Sequence, residues 1–379
     1  MEEPALAAAV TASGLTPPER YEIDSGRLDW PLDQVSGVPG LPEGVAVMPT
    51  AHSHAAVLKM PCASGKTYTV RRDLVGVAKE KLVLVCTCNR LFTRATCSDW
   101  AELYGEENVY CYLDGLGQSE AAKEAKRQLK ALCERGHGVL FISIESFLVL
   151  NGILEPARVG ALLLEETSEL ASKMLSETCP CVRPFRLLKA VAQEVPRVLY
   201  TDADFEVDGS ADGRCKRLAH YLRPNLPLRI FTLSRCAEHI RRSVRPYFDD
   251  PSAEAGLNFD AWWAQLRAYL KSWRRTGDAS NNRVAVACSS RTMLRSVCAL
   301  AKAEGCFWCD YSSETDDDVK NIELADPAVF WVDVGLVAFT QTLSVGVDPQ
   351  GISFAAVFMY ECTFRCCSIA KADAPSTCP

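Results

Sequence analysis

The chain has 379 residues, of which 48% are hydrophobic and 23% charged, so it can bury the cores of two domains of ordinary size. This composition excludes an intrinsically disordered or fibrous protein. The formal net charge is −7, and the first 57 residues hold eight acids against two arginines. Because the remainder is close to neutral, the acidic balance does not exclude a nucleic-acid partner, which needs only a local basic groove.

Eighteen cysteines would suit a secreted disulfide framework, but the N-terminus lacks the basic and then apolar layout of a signal peptide. We therefore expect reduced thiols in an intracellular protein, nuclear or cytoplasmic and not secreted. The pair Cys306 and Cys309 has metal-like or redox-like spacing, but no second pair stands at a suitable distance. No apolar run reaches the ~18 residues of a membrane-spanning helix, so no membrane partner is expected.

The N-terminal 50 residues are rich in Ala, Pro, Gly and acids, and they are predicted to form a loosely ordered acidic leader. The pattern then changes to short apolar runs that alternate with helical stretches. This alternation is typical of parallel strands joined by crossover helices, and we place a first domain over residues 51–206. Its first strand, Val57 to Met60, leads into Ser64-Gly65-Lys66-Thr67 and a helix-compatible stretch.

The Ser-Gly-Lys-Thr stretch is a candidate phosphate-binding loop for ATP. In such a loop the backbone N–H groups surround the phosphates, the Lys66 ammonium reaches the β and γ oxygens, and the Thr67 hydroxyl ligates Mg²⁺. One departure is Met60, since the full pattern has a small residue, usually Gly, five places before Gly65. The alternative interpretation is an ordinary loop, because Ser-Gly-Lys-Thr also occurs by chance.

Four further apolar runs predict the rest of a doubly wound sheet, whose ligand would lie at the carboxyl ends of its strands. A helix with apolar residues at helical spacing is predicted between the second and third strands. The strands are Leu82 to Cys86, Val139 to Ile144, Ala161 to Leu164 and Val198 to Tyr200, and the helix is Glu120 to Glu134.

Two adjacent acids, Glu165 and Glu166, follow the apolar run that ends at Leu164. A phosphate loop needs a carboxylate at the end of a neighbouring strand, which holds Mg²⁺ and orients the attacking water. We predict that Glu165 engages the metal and that Glu166 polarises the nucleophilic water. The alternative is a strand that ends in a solvated acidic turn, because Glu169 follows.

A second α/β unit is predicted over residues 283–379, after a connecting helical region over residues 207–282. The predicted architecture is therefore two α/β units in series. The helices expected here are Phe259 to Trp273 and Thr292 to Glu304, and the strands are Arg283 to Cys288, Val329 to Val332, Leu336 to Phe339 and Phe354 to Tyr360.

In this order, the motifs resemble those of the superfamily-2 helicases, and within them the origin-binding-protein family of herpesviruses and its relatives in large viruses and protists. The resemblance extends over about 300 residues. Its stretches are Ser64 to Thr67, Leu84 to Thr93, Leu140 to Phe147, Glu165 to Ser168 and Tyr200 to Asp204 in the first half, and Tyr311 to Lys320 and Phe339 to Asp348 in the second.

The resemblance implies two RecA-like P-loop domains in tandem and an ATP-hydrolysing helicase that acts on DNA in replication. The second domain would be incomplete, because the family's last motif, a Gln followed by two arginines, would fall beyond Pro379. The implied cofactors are ATP and Mg²⁺, and the implied partners are DNA, as a single strand or an opened duplex, and other replication proteins. Implied nucleotide contacts are Gly346 and Asp348, and implied strand contacts are Arg90, Thr93, Ser146, Ser289 and Thr340.

Two alternatives stay open. The first is a nucleotide-dependent nucleic-acid-binding remnant without efficient turnover, since Glu165 stands where the family has Asp and its extra methylene would displace Mg²⁺ by about 1 Å. The second is another P-loop protein, a kinase or GTPase. It is disfavoured because it leaves the motifs between residues 283 and 348 unexplained.

Overall fold

The computed structural model describes residues 18–25, 27–28, 30–34, 36–50, 52–60, 64–88, 90–112, 120–175, 182–202, 213–234, 257–276, 283–340 and 354–360. The chain divides into two compact units, Met1–Arg242 and Ser243–Pro379. Each unit has its own parallel sheet and its own apolar core. No helix among these residues is long and apolar enough to cross a membrane.

The first unit is built on one sheet in which every strand pairs in parallel with its neighbours. Its strands are β1 (Glu19–Ile23), β2 (Ala55–Lys59), β3 (Leu82–Thr87), β4 (Val109–Tyr112), β5 (Gly138–Ser143), β6 (Val159–Glu165), β7 (Val198–Asp202) and β8 (Leu228–Leu233). Their order across the sheet is β1-β8-β2-β7-β6-β3-β5-β4.

All residues of β3, β5, β6 and β7 are buried, as expected for strands covered on both faces. The continuous apolar runs that predicted these strands have this physical origin. The helices described in this unit are α1 (Lys66–Glu80), α2 (Arg90–Tyr104), α3 (Glu120–Arg135), α4 (Thr167–Leu175), α5 (Val182–Glu194) and α6 (Arg214–Leu222), with 3₁₀ helices at Glu106–Asn108, Ile144–Leu150 and Pro156–Arg158.

The N-terminal region belongs to this fold. β1 forms an edge of the sheet by pairing with β8, and Ile23, Leu28 and Leu32 are buried in the core of the unit. The prediction of a loosely ordered leader is therefore wrong for the described residues from 18 to 50. Their apolar residues are spaced irregularly among prolines and glycines, so no periodic pattern revealed the burial.

The predicted connecting region, residues 207–282, divides between the two units. α6 and β8 belong to the first unit, where β8 pairs with β1 and β2. The helix α7 (Leu257–Thr276) belongs to the second unit and places Leu266 and Leu270 in its core. The second compact unit therefore contains a helix that precedes residue 283.

The second unit has a four-stranded parallel sheet in the order β10-β11-β9-β12. Its strands are β9 (Val284–Cys288), β10 (Trp308–Tyr311), β11 (Leu336–Thr340) and β12 (Ala356–Tyr360), and its further helices are α8 (Arg291–Ala303), α9 (Asp317–Ala325) and α10 (Pro327–Phe330). The strand predicted at Val329 to Val332 is wrong, because α10 covers its start. Asp326 caps this helix by accepting the Val329 N–H, and Pro327 occupies its first turn.

Candidate functional site

The carboxyl ends of β2, β7 and β6 lie side by side, since these strands are neighbours in the sheet. In register, Lys59 pairs with Asp202 and Thr201 pairs with Glu165. The loop that leads from β2 to α1 therefore starts beside the acids that end β7 and β6. Such an edge of a parallel sheet is where ligands bind in α/β proteins.

The start of α1 has the backbone of an anion-binding loop. Gly65 has φ 81°, in the left-handed region, and a Cβ there would lie 2.7 Å from the Leu28 carbonyl oxygen. Lys66 is 8% exposed and donates from Nζ to the Met60 carbonyl at 3.3 Å, whereas Thr67 in the same turn is exposed. Backbone N–H groups, an ammonium and a hydroxyl thus meet at one helix N-terminus, an arrangement that favours a phosphate.

Met60 stands where the motif has a small residue, and the structure explains how it is tolerated. Its side chain is completely buried in the core of the first unit. Its backbone serves the site, because its N–H donates to the Asp202 carbonyl at 3.0 Å and its own carbonyl accepts from Lys66. The methionine is therefore compatible with the loop, because its side chain lies in the core and only its backbone takes part in the site. Residues 61–63 lie outside the described residues.

Two leucines from the N-terminal region fasten to the start of α1. Leu28 donates its N–H to the Ser64 carbonyl at 2.8 Å, and its carbonyl accepts from Thr69 Oγ1 at 2.6 Å. Leu32 donates its N–H to Asp73 Oδ2 at 2.5 Å. These contacts hold the loop from outside the motif. Sequence reasoning missed them, because the N-terminal region carries no motif of its own.

Glu165 is the most perturbed acid of the site. It is 3% exposed, and within the described residues its Oε2 has no hydrogen-bond partner. Burial, reinforced by Glu166 and opposed by Lys66, raises the pKa of Glu165 to about 8. A buried carboxyl oxygen without a partner is costly unless a cation or donor completes it.

This environment fits Mg²⁺. Mg²⁺ is held in nucleotide sites by one or two protein groups together with water and phosphate oxygens. It therefore does not require a cluster of three ligating side chains, and the described residues hold no such cluster. Glu165 and the Thr67 hydroxyl are the groups that would hold the metal, and their role as metal ligands stays a prediction from the motif.

Glu166 lies at a fixed turn between β6 and α4. Its φ of 50° lies in the left-handed region, which is uncommon for a residue other than glycine. The next two residues anchor the turn, because Thr167 Oγ1 donates to the Leu164 carbonyl at 3.2 Å and the Ser168 N–H donates to Asp202 Oδ2 at 2.5 Å. Asp202 belongs to the stretch Tyr200 to Asp204, but no role was predicted for its side chain from the sequence. Its role became visible only in the structure.

The residues predicted to contact a nucleic-acid strand fall into different environments in the first unit. Thr93 is fully buried, with its Oγ1 2.5 Å from that of Thr87, and Ser146 is 6% exposed and accepts from Ser143 Oγ at 3.3 Å. In this conformation these hydroxyls fasten the ends of β3 and β5 and are not presented to a strand. Arg90 is the first residue of α2, and its side chain lies outside the described residues.

In the second unit the structure brings Ser289 and Thr340 to one edge of the sheet. Thr340 ends β11 and pairs with Cys288 at the end of β9, directly before Ser289. Both side chains are partly exposed. Gly346 and Asp348, the predicted nucleotide contacts of this unit, lie outside the described residues.

No protein-family model and no curated protein matches the chain. Among solved structures, Mss116p bound to ssRNA and AMP-PNP matches 81% of this chain and 66% of its own at 11% identity, with a TM-score of 0.54. S. cerevisiae Dbp5 bound to RNA and ADP BeF3 matches 84% of this chain and 82% of its own at 11% identity, with a TM-score of 0.52. The DUF1998 helicase MrfA bound to DNA matches 81% of this chain and 46% of its own at 14% identity, with a TM-score of 0.51.

These structural neighbours are superfamily-2 helicases. The likeness confirms the predicted fold class, a mixed α/β chain with the parallel sheets of RecA-like helicase domains. The chain spans about two thirds of the length of Mss116p and less than half that of MrfA. Membership of the origin-binding-protein family stays a prediction.

Proposed function

We propose that the chain is an ATP-binding and ATP-hydrolysing protein of the helicase type that acts on DNA, as a single strand or an opened duplex. The observation that carries this proposal is the environment of Glu165. Its buried Oε2 has no partner among the described residues, it interacts electrostatically with Lys66, and it ends a strand of the RecA-like sheet. A purely structural acidic turn would not require a carboxyl group to be buried in this way.

The triphosphate would bind at the N-terminus of α1. Ser64, Gly65 and the first residues of the helix offer backbone N–H groups, and Lys66 would exchange its contact with the Met60 carbonyl for β and γ oxygens. Thr67 and Glu165 would hold Mg²⁺, which neutralises charge on the phosphates. Gly346 and Asp348 are proposed as further nucleotide contacts on the basis of the motif alone.

Hydrolysis would depend on two acids with different roles. Glu165 must be ionised to hold the metal, and because its pKa is about 8 in the metal-free protein, binding would release a proton near neutral pH. Glu166, fixed at the left-handed turn, would accept hydrogen bonds from the attacking water and take its proton.

The DNA strand would contact Arg90 in the first unit and Ser289 and Thr340 in the second. Phosphate contacts of this kind give little sequence selectivity. MrfA is bound to DNA and Mss116p to ssRNA in structures of similar fold, which supports a nucleic-acid ligand in general. A role in replication with other replication proteins, at an intracellular site, is proposed from the order of the motifs.

A second candidate is a nucleotide-gated nucleic-acid-binding protein with slow turnover. The observation that favours it is Glu165 itself, where the resembling family has Asp. The longer side chain would displace a bound metal by about 1 Å, which is enough to slow chemistry that depends on geometry.

The test is ATP binding and hydrolysis by the purified chain, alone and with single-stranded DNA or RNA. Lys66→Ala should weaken ATP binding about 100-fold, because it removes the ammonium that reaches the phosphates. Glu166→Gln should leave ATP binding within about twofold of wild type and lower turnover at least about 100-fold. Lys79→Ala, in the last turn of the same helix, is the matched control and should behave as wild type.

The outcomes separate the candidates. Turnover that DNA stimulates and that both site variants lose supports the ATP-driven protein. ATP binding that requires Lys66, without measurable turnover, supports the nucleotide-gated alternative. Equal ATP binding by Lys66→Ala and Lys79→Ala would contradict both, and stimulation by RNA but not by DNA would overturn the choice of DNA.

A further inference from the structure

A lysine of α4 joins two loops that are far apart in sequence. Lys173 donates from Nζ to the Cys88 carbonyl at 2.6 Å and to Glu145 Oε1 at 2.5 Å. The bond to Cys88 spans 85 residues of sequence and the bond to Glu145 spans 28. No motif of the sequence analysis includes Lys173. Its two acceptors belong to different loops, so one side chain holds both in place.

Each loop follows a β-strand, and residues predicted to contact nucleic acid lie just after the end of that β-strand. Cys88 follows β3 and stands two residues before Arg90, the start of α2. Glu145 lies in the 3₁₀ helix that follows β5 and is directly before Ser146. Because β3 and β5 are neighbours in the sheet, their loops lie at the same edge. The Lys173 ammonium therefore bonds both loops at the edge of the sheet where α2 begins with Arg90, the residue of the first unit that is proposed to contact DNA.

The other end of α4 starts at the nucleotide site. The helix begins at Thr167, directly after Glu166, and Ser168 is tied to Asp202. Leu170 and Ala171 are completely buried, and α4 packs against β7 and α6. Six residues separate Thr167 from Lys173, about 9 Å along a helix axis. One short helix thus connects the proposed catalytic turn to both loops.

We propose that Lys173 is a positioning residue that couples the nucleotide site to the DNA-contacting loops. A bound DNA strand that displaces either loop would move the carbonyl or the carboxylate that accepts from Lys173. The displacement of Lys173 would move α4 and therefore Glu166 at its start. By linkage, bound nucleotide then changes the affinity of the protein for DNA, and bound DNA changes its affinity for nucleotide by the same factor. This coupling factor is 5- to 150-fold in typical coupled proteins. This inference rests on the proposed function and assigns it a regulatory element.

The experiment measures that factor. The dissociation constant of a fluorescent single-stranded DNA is determined with and without a slowly hydrolysed ATP analogue and Mg²⁺, for the full chain. We expect at least a fivefold difference in wild type. Lys173→Met should reduce the factor to about one while the analogue's affinity in the absence of DNA stays within about twofold, because Lys173 bonds Cys88 and Glu145 and not the residues that start α1. Lys173→Arg, which keeps the charge and donors, should restore most of the factor.

Two further variants sharpen the interpretation. Glu145→Gln weakens only one of the two contacts and should reduce the factor partially. Lys123→Met removes a lysine that pairs with Glu120 on the surface of α3, and it should retain the wild-type factor. Thermal unfolding of each variant provides the control for folding.

Each result decides the question. A wild-type factor in Lys173→Met would overturn the inference, and so would equal affinity of the wild-type chain for DNA with and without the analogue. A Lys173→Met protein that loses analogue affinity together with stability would show a structural role instead. If the wild-type chain does not bind the analogue at all, the proposed function fails first, and the coupling fails with it.

Discussion

Charged side chains are buried at both ends of the first sheet, but their hydrogen bonding differs between the two ends. At the amino ends of the strands, Arg223 is 5% exposed and donates from its terminal nitrogens to the Ala192 and Val195 carbonyls and to His52 Nδ1, and only its Nε lacks a partner among the described residues. At the carboxyl ends, Glu165 is 3% exposed, and its Oε2 has no partner among the described residues.

The difference distinguishes structural from functional burial. At the amino ends, buried charge satisfies backbone carbonyls of neighbouring loops and so stabilises the fold. At the carboxyl ends, a carboxyl whose Oε2 has no partner in the part of the chain that the structure describes stands beside Glu166 in a left-handed conformation, and both features reduce stability. Proteins retain such local costs where a ligand completes the site. If this contrast is correct, substitutions at the two ends should have opposite effects on stability.

The largest loss of stability is expected for Arg223→Met. The substitution leaves the Ala192 and Val195 carbonyls buried without their donor, so the free energy of unfolding should fall by about 3 kcal/mol. Urea denaturation at pH 7.5 measures it. The affinity of the folded protein for ATP should be unchanged, because the amino ends do not face the phosphate loop.

The matched control is Arg127→Met on the exposed surface of α3, where the expected change is under about 0.5 kcal/mol. If Arg223→Met were no less stable than this control, the amino-end cluster would not have the structural role described here.

Glu165→Gln should change stability in the opposite direction, and only at high pH. The pKa of Glu165 is about 8 in the folded protein against 4.5 for an ordinary glutamate, so the folded state retains a proton that the unfolded state has lost between these values. Stability therefore falls as pH rises from 4.5 through 8. With EDTA present, the variant should match wild type below pH 4.5 and exceed it by several kcal/mol at pH 9, since the pKa is raised from 4.5 to about 8 and each pKa unit is worth about 1.4 kcal/mol.

The measurement is urea denaturation of both proteins across that pH range. Parallel curves would show that Glu165 is not held in a destabilising environment, and the contrast between the two ends would lose its main support.

Thr69→Val tests whether the N-terminal region stabilises the phosphate loop. The valine leaves the Leu28 carbonyl without the hydroxyl that now donates to it at 2.6 Å, so we expect a loss of about 1 kcal/mol in stability. Hydrogen exchange should rise at the Leu28 amide, which bonds the Ser64 carbonyl. Thr292→Val, at an exposed site on α8, is the control. Unchanged exchange at Leu28 would mean that the N-terminal region is held by its apolar side chains alone.

The smallest effect concerns His54 at the amino ends. Burial, aided by the Arg229 charge, lowers its pKa from 6.5 to about 4, so the unfolded state binds a proton that the folded state does not. Stability should therefore fall as pH drops from 6.5 toward 4. His54→Gln should remove about 1 kcal/mol of this dependence between pH 7 and pH 5, measured by urea denaturation. An unchanged pH dependence in the variant would contradict the assignment.

Much of the fold was predictable where strands are buried on both faces. β3, β5, β6 and β7 were predicted because every residue in them is buried and the apolar runs are therefore continuous. The strands β1, β4, β8 and β10 were missed. Each contains partly exposed positions, so their sequences carry a weaker pattern.

The site divides in the same way. The sequence by itself predicted that Lys66, Thr67 and Glu165 belong to one site, because a phosphate loop and a strand-end acid are local patterns that chemistry requires in fixed order. Only the tertiary structure decided which residues hold them, since Leu28 bonds Thr69 across 41 residues and Asp202 bonds Ser168 across 34. A contact between distant segments has no local period or spacing, so it becomes defined only when the strands have taken their places in the sheet.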